Sequence, residues 1–411
     1  MNRLSVVDEI FLYRHRGFGL PTVMQGLWRT DDIVDAPLLI SLHDALTQGP
    51  LGRRVVRSRV PGARPRFEPS TVSYPLRYST EPLAADGILP WADAQAEVDV
   101  DPEHAPGWSL SAATTATGGT AVSLVCSHVL TDARGLIAAV TDALAGRVER
   151  PTEDRVSDLR DALRLAGRVG RGLRHVHRRQ APEAMPPPRP VRNRPRTALV
   201  DIDANAWDRT AETGEGTANS LFLSIVAGIA RRAGIPSPLR IAVPVDAHAT
   251  GSAADSRSNG VTMTDVVVDA DDTPATIRAK AARAYRKPRE SAPFGIPDEI
   301  LQLMPDRVAG RLAQGAGERD LLCSNIGRVP RLLDTFGPHP TVGLAMRAMH
   351  PGLTASPAET STRLSAYLSR QPDRYTLALV ALDEDHFPDR SSLRAHAEAE
   401  FAERGLTPQY W

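Results

Sequence analysis

The chain has almost no cysteine and almost no lysine. Its 411 residues hold two cysteines, Cys126 and Cys323, which excludes a disulfide framework and any cysteine-rich metal site and fits a reducing compartment. Lysine occurs only at Lys280 and Lys287, and arginine supplies the rest of the 49 basic side chains; with abundant alanine and proline this reads as codon usage in a GC-rich genome, not as function. A charge excess is lacking too. The 49 basic residues face 49 acidic ones, so no net field points to nucleic acid as a partner. No run of about 18 apolar residues occurs, and Met1 to Arg16 contains no apolar stretch leading to a small-residue cleavage site. A soluble, cytoplasmic, unexported protein is expected.

What is present is organised around Leu124-Val125-Cys126-Ser127-His128-Val129-Leu130-Thr131-Asp132-Ala133-Arg134-Gly135. Thr120 to Cys126 is β-branched and apolar, whereas Leu136 to Leu144 repeats apolar residues at helical spacing, so the stretch reads as strand, break, helix, with His128 at the strand end. A neutral imidazole held there can act as a base near neutral pH. His-x-x-x-Asp by itself recurs by chance in a protein of this length, and its meaning depends on what accompanies it.

The length exceeds one ordinary core and suggests two domains, 1–180 and 198–411, separated by the proline- and arginine-rich linker 181–197. In the first, Leu4 to Leu12 reads as a helix capped by Ser5, Met24 to Trp28 as a strand, Ala36 to Thr47 as a helix and Arg53 to Val60 as a strand, while Trp108 to Thr115 and Thr120 to Cys126 form a hairpin into His128. Asp158 to Arg179 is an amphipathic helix rich in arginine, including Arg164, Arg168, Arg171 and Arg178. It reads as a solvated surface helix, or as a docking site for an anionic surface such as a membrane or an acidic carrier protein. In the second half, strands are expected at Thr197–Ile202, Leu239–Asp246, Val261–Val268 and Leu321–Gly327, a hairpin at Arg363–Arg370 and Tyr375–Leu382, and helices at Leu221–Arg232, Thr273–Arg286 and Ser391–Arg404. Both halves are α/β.

The order of Leu4 to Leu12, Ser127-His128-x-x-x-Asp132, Asn219-Ser220-Leu221-Phe222-Leu223, Pro244-Val245-Asp246, Ser258-Asn259-Gly260 and Cys323-Ser324-Asn325-Ile326-Gly327 resembles the condensation-domain superfamily of acyltransferases. Within it, the pattern is similar to the wax ester synthase/diacylglycerol acyltransferase-like branch. The resemblance spans nearly the whole chain. It implies two chloramphenicol-acetyltransferase-like lobes, each a mixed sheet covered by helices, set in a V around a central tunnel. It further implies a phosphopantetheine thioester, on coenzyme A or a carrier protein, as co-substrate, a small-molecule hydroxyl or amine as acceptor, and no bound cofactor. His128 corresponds to the second histidine of the family's His-His-x-x-x-Asp-Gly motif and is the expected base, with Asp132 in a structural role. Candidate oxyanion donors are the amide near Gly135 and the side chains of Ser324 and Asn325, and Ser127 and Cys126 are expected to line the tunnel. A monomer with peripheral membrane contact is compatible with this reading.

The sequence departs from the family at three points. Ser127 replaces the first histidine, Ala133 replaces the glycine after the aspartate, and His248 stands where an arginine is expected after Pro-Val-Asp, leaving Arg240 or His248 as partners for Asp132. Ala133 would matter if the position required positive φ. A module that binds a carrier protein without turnover is the alternative these departures allow. Other motifs were set aside: His175-Val176-His177 lacks acidic or cysteine ligands, so no metal is expected, the glycines at Gly118-Gly119 and Gly167 to Gly172 lack a strand-to-helix context, and Cys126 reads as a buried apolar residue rather than a nucleophile.

Overall fold

The computed structural model describes residues 3–148, 156–174, 187–246, 259–286 and 298–411. The His175-Val176-His177 run, Arg178, His248 and Ser258 lie outside the described residues. Two mixed sheets carry the architecture. The first is built from β1 (Val23–Thr30), β4 (Arg77–Leu83), β5 (Trp108–Thr115), β6 (Thr120–Ser127), β12 (Thr335–Phe336) and β13 (His339–Met349), in the order β12-β13-β1-β6-β5-β4. The second orders β10 (Val261–Val268), β9 (Leu239–Asp246), β11 (Leu321–Arg328), β15 (Leu364–Arg370), β16 (Arg374–Ala381), β8 (Arg196–Asp203) and β17 (Gln409–Tyr410). The hairpins expected at β5–β6 and β15–β16 form, both antiparallel. Strands β9 and β11 are parallel and pair only at Leu321–Ile241 and Leu322–Ala242, so the β9–β10 hairpin diverges from the rest of its sheet.

Helix ends follow the capping chemistry of the sequence. In α1 (Val6–His15) the Ser5 hydroxyl accepts from the Asp8 amide and the Asp8 carboxylate accepts from the Ser5 amide, satisfying two otherwise orphaned donors. Helix α7 (Ala218–Arg232) has apolar residues on every side and is buried from Ser220 to Ala230, as such a helix must be. It lies so close to α10 (Arg390–Glu403) that a Cβ at Gly228 would fall 2.1 Å from the Glu400 carboxylate. Alternation along the shared strands divides the core in two. Leu377 and Leu379 of β16 face α7 and α10, while Ala378 and Val380 join a cluster with Trp28, Leu344 and Met346 of the first sheet.

One segment does not follow the expected division of the chain. Residues 335–349 lie within the range read as the second domain, yet β12 and β13 hydrogen-bond into the first sheet, β13 running antiparallel to β1 with Gln25 opposite Arg347. The other face of β13 packs on β15 and β16, so this strand joins the sheets. Arg347 is fully buried there. Its Nε donates to Gln25 Oε1 at 2.8 Å, its Nη2 is 2.7 Å from Asp93 Oδ1 on α3 (Ile88–Gln95), and Asp93 also pairs with Arg390 and accepts from the Thr197 hydroxyl at 2.7 Å. The linker region is also structured in part: β7 (Arg189–Val191) pairs with β14 (Ala358–Thr360) as a two-stranded ribbon, where proline at a ladder position is tolerated.

Removing the partner of a fully buried charge costs about 3–5 kcal/mol, against ~0.3–0.5 kcal/mol for an exposed helical pair such as Arg394–Glu398. Asp93→Ala is therefore expected to lower the unfolding free energy in urea by several times the loss from Glu398→Ala, and equal losses would show that Arg347 does not depend on Asp93.

Candidate active site

Strand β6 ends at Ser127, and Val23 of β1 sits between Ser127 on one side and Met349 on the other. The next residues, His128 and His350, therefore leave the same end of the sheet on either side of Thr22. The His128 amide donates to the Thr22 carbonyl at 3.4 Å. Val129 and Leu130 then bury against Leu4, Leu12, Val55 and Phe67, and Arg53, whose guanidinium lies 3.9 Å above the Phe67 ring, donates to the Leu130 carbonyl. The loop carrying His128 is thus packed from both sides.

Asp132 closes this loop as the N-cap of α4 (Ala133–Leu144), its Oδ1 accepting from the Gly135 amide at 2.9 Å. The structural role expected for Asp132 is this cap. The same bond rules out the Gly135 amide as an oxyanion donor, because it is already committed to a carboxylate. Glycine is needed there for a different reason: a Cβ would fall 1.9 Å from the Thr131 hydroxyl. Ala133 opens the helix without positive φ, so its departure from the family pattern carries no backbone strain.

The imidazole of His128 stacks on Phe11 of α1, ring centroids 3.7 Å apart and planes 9° from parallel. Asn259, just before β10, reaches across from the second sheet. Its Nδ2 donates to Asp8 Oδ1 at 2.7 Å and to the His128 carbonyl at 2.8 Å, and its backbone amide donates to Asp8 Oδ1 at 3.2 Å. Two buried polar atoms remain without a well-formed partner, Nδ1 of His128 and Oδ1 of Asn259. The Asn259 side chain nevertheless favours the protonated ring. Burial lowers the His128 pKa to about 4; its own carbonyl, Asp132 and Asn259 oppose that shift, and the Arg14 guanidinium reinforces it. The ring is neutral at physiological pH.

His350 is buried beside this site. Its Nδ1 is 2.7 Å from the Pro21 carbonyl, which can only accept, so Nδ1 carries the proton. Burial lowers its pKa to about 4 as well, with Arg14 and His128 adding to the shift. Asp8, whose carboxyl is pushed up by burial, completes the surroundings together with the Arg53 charge. In the sequence Asp8 reads only as an acidic residue of the first turn after the Ser5 cap, Asn259 only as part of a motif, and Phe11, Arg14 and His350 carry no mark of a site. The Ser5-x-x-Asp8 and Asn259-Gly260 patterns were the only local signals.

The remaining expected residues fall elsewhere. Cys126 is fully buried in the core of the first sheet, its thiol pKa pushed up by burial. Ser127 accepts from the Val129 amide at 3.3 Å and braces the turn. Asn325 is exposed and engaged at both ends of its amide, donating to Asn219 Oδ1 at 3.0 Å and accepting from the Gly327 amide at 2.9 Å. Ser324, half-buried beside it on β11, makes no described contact with His128. Arg164, Arg168 and Arg171 are exposed on α5 (Asp158–Leu173). Among the described residues no group of three or more His, Cys, Asp or Glu side chains could hold a metal ion.

The fold has relatives among solved structures. The wax ester synthase/diacylglycerol acyltransferase of Marinobacter aquaeolei VT8 superposes with a TM-score of 0.61 at 15% identity, over 98% of each chain. The starter condensation domain of rhizomide synthetase, solved with C8-CoA and Leu-SNAC, does so at 0.57 and 14% identity, over 98% of this chain and 93% of that one. The chain has the condensation-domain acyltransferase fold. In sequence, a Mycobacterium tuberculosis protein named "Putative diacyglycerol O-acyltransferase" is 26% identical over 229 residues, 51% of this chain and 46% of that protein, so the match spans about half the length of the curated relative. No family model matches the chain. Within the condensation-domain fold, His128 occupies the loop between a central strand and a covering helix, approached by a residue of the opposite sheet.

Both histidines should stay neutral well below the usual imidazole value of 6.5 and titrate near 4. Nitrogen chemical shifts of the two rings between pH 7 and 4 would check this, and protonation of either near 6.5 would contradict the burial argument.

Proposed function

We propose that the protein is an acyltransferase that moves an acyl group from a phosphopantetheine thioester to a hydroxyl or amine of a small molecule, with His128 as general base. The observation that carries the reading is the neutral His128 ring, stacked on Phe11, with Asn259 bonded to its carbonyl. The resemblance in sequence order and the acyl-CoA bound by a neighbour of the same fold support coenzyme A as the donor handle. The relatives of named function suggest lipid or natural-product acceptors.

In this reading the acceptor X–H gives its proton to His128 Nε2 as X attacks the thioester carbonyl. The imidazolium that forms is favoured by the nearby Asp132 charge and by the Asn259 side chain. The negative charge developing on the carbonyl oxygen favours it further, which offsets the low basicity of the ring in the free protein. Collapse of the tetrahedral intermediate breaks the C–S bond, and the thiolate takes the proton back from Nε2, so ester or amide and free thiol are the only products. Of the oxyanion donors read from sequence, Ser324 remains a candidate, and the Arg14 guanidinium supplies positive field near both rings.

His128→Ala is expected to lower turnover by ~10²–10⁴-fold while leaving the thermal midpoint near that of the wild type. Asn259→Ala removes the bond that holds the His128 carbonyl and a side chain that favours the charged ring, and should cost about 10–100-fold. Product analysis with acyl-CoA and acyl-carrier donors against mixed alcohols and amines would test both, and turnover by His128→Ala equal to the wild type would overturn the assignment. Because the free base titrates near 4, the acid limb of kcat/KM should fall below pH 5 and not near 6.5. A protein that binds an acyl carrier protein but consumes no thioester would instead be a recruiting module.

A further inference from the structure

Helix α5 has two apolar faces, and only one is used by the fold. Asp161, Leu165 and Val169 are buried, on the side where Arg64 pairs with Asp161 at 2.7 Å. Leu159, Leu163, Ala166, Gly170 and Leu173 form a second stripe, about 80° wide at 3.6 residues per turn. All five are exposed, Leu159 to 61% and Leu163 to 67%. Along one edge of this stripe run Arg160, Arg164, Arg168, Arg171 and Arg174, all at the surface. The two acidic residues of the helix, Asp158 and Asp161, lie on neither exposed face; Asp158 pairs with Arg3 at 2.6 Å.

The same combination recurs on α9 (Asp306–Ala313). Ala309, Gly310 and Ala313 are buried, with Gly310 pressed against Phe18, while Arg307, Val308, Arg311 and Leu312 are exposed, Leu312 to 58%. Helices α5 and α9 both pack on the turn 298–303, whose Leu303 is exposed as well. Solvated arginines need no partner, but large aliphatic side chains beside arginines on two separate helices at one corner do call for one. That pattern is matched by a lipid surface, where aliphatic side chains enter the acyl boundary and guanidinium groups remain among anionic headgroups.

We propose that the exposed faces of α5 and α9 together bind an anionic lipid bilayer surface. The corner is one helix away from the candidate base, since α1 packs its Tyr13 against Ala309 and Ala313 of α9 and stacks Phe11 on His128. An apolar substrate held in a bilayer would be delivered close to that site. No helix among the described residues is long and apolar enough to cross a membrane, so the contact is peripheral.

The test reads binding, not turnover, and is independent of the chemistry proposed above. The full chain is sedimented with phosphatidylcholine vesicles, with and without about one-third phosphatidylglycerol, at several salt concentrations. Salt-sensitive binding to the anionic vesicles is expected, weaker by about fivefold for each of Arg164→Gln and Arg168→Gln. Binding should fall at least about tenfold in Leu159→Ser/Leu163→Ser and in Val308→Ser/Leu312→Ser. These side chains are exposed, and unchanged circular dichroism confirms that the variants fold. Wild-type binding no stronger to anionic than to neutral vesicles would overturn the proposal, as would full binding by the leucine and valine variants. Capture of an acidic acyl carrier protein that depends on the arginines but not on the aliphatic residues, with no vesicle binding, would replace it with a protein docking site.

Discussion

The Asn259 amide joins the three elements that make up the site. It donates to a buried carboxylate on α1 and to the carbonyl of His128, and its side chain favours the charged form of the ring. In a medium of low dielectric constant such bonds are stronger than in water, and leaving one unmade costs the desolvation of its partner. Asn259 thus ties the start of β10 to α1 and to the end of β6, where α1 is also packed against Val129 and Leu130. Asp8 performs two tasks in this arrangement, closing the capping box of its own helix with one oxygen and receiving Asn259 with the other.

Burial then decides the protonation state of what the amide holds. His128 and His350 flank Thr22 with Arg14 close to both, and desolvation together with that cation keeps the two rings neutral. Two imidazolium groups at one strand end would be mutually repulsive as well as poorly solvated. A neutral ring has a nitrogen lone pair ready to accept a proton, which is what acyl transfer to a hydroxyl or amine requires. Asp132 contributes from a distance, by capping α4 and by its charge, and its carboxylate is occupied by the Gly135 amide.

The sheets that hold these groups are kept in register by β13. It completes the six strands of the first sheet, packs its other face on the second, and ends one residue before His350. Arg347, near the end of this strand, is compensated by Gln25 and Asp93, and Arg390 of the last helix shares the same carboxylate. The chain therefore does not fold as two independent halves: its second half supplies a strand to the first sheet, Asn259 to the histidine loop, and a neighbouring histidine.

The sequence by itself determined the local elements whose signals are local. The capping box at Ser5, the hairpin into His128, the apolar helix after Thr217, and the α/β class of both halves could all be read from periodicity and caps, because each depends on residues within a few positions of one another. The order of short motifs likewise pointed to His128 and to the fold. Strand β13 was not legible, since its glycine, alanines and arginine follow no alternating pattern and are buried only because two sheets close over them. Nor could the sequence decide which face of α5 would be covered: Leu165 and Val169 pack inward and Leu159 and Leu163 are left outside, a choice made by the neighbouring turn. The Gly135 amide was a reasonable oxyanion donor until Asp132 was seen to take it. The contacts among Phe11, Asp8, Asn259, His350 and His128 join positions up to several hundred residues apart, and only tertiary packing brings them within hydrogen-bond or stacking distance.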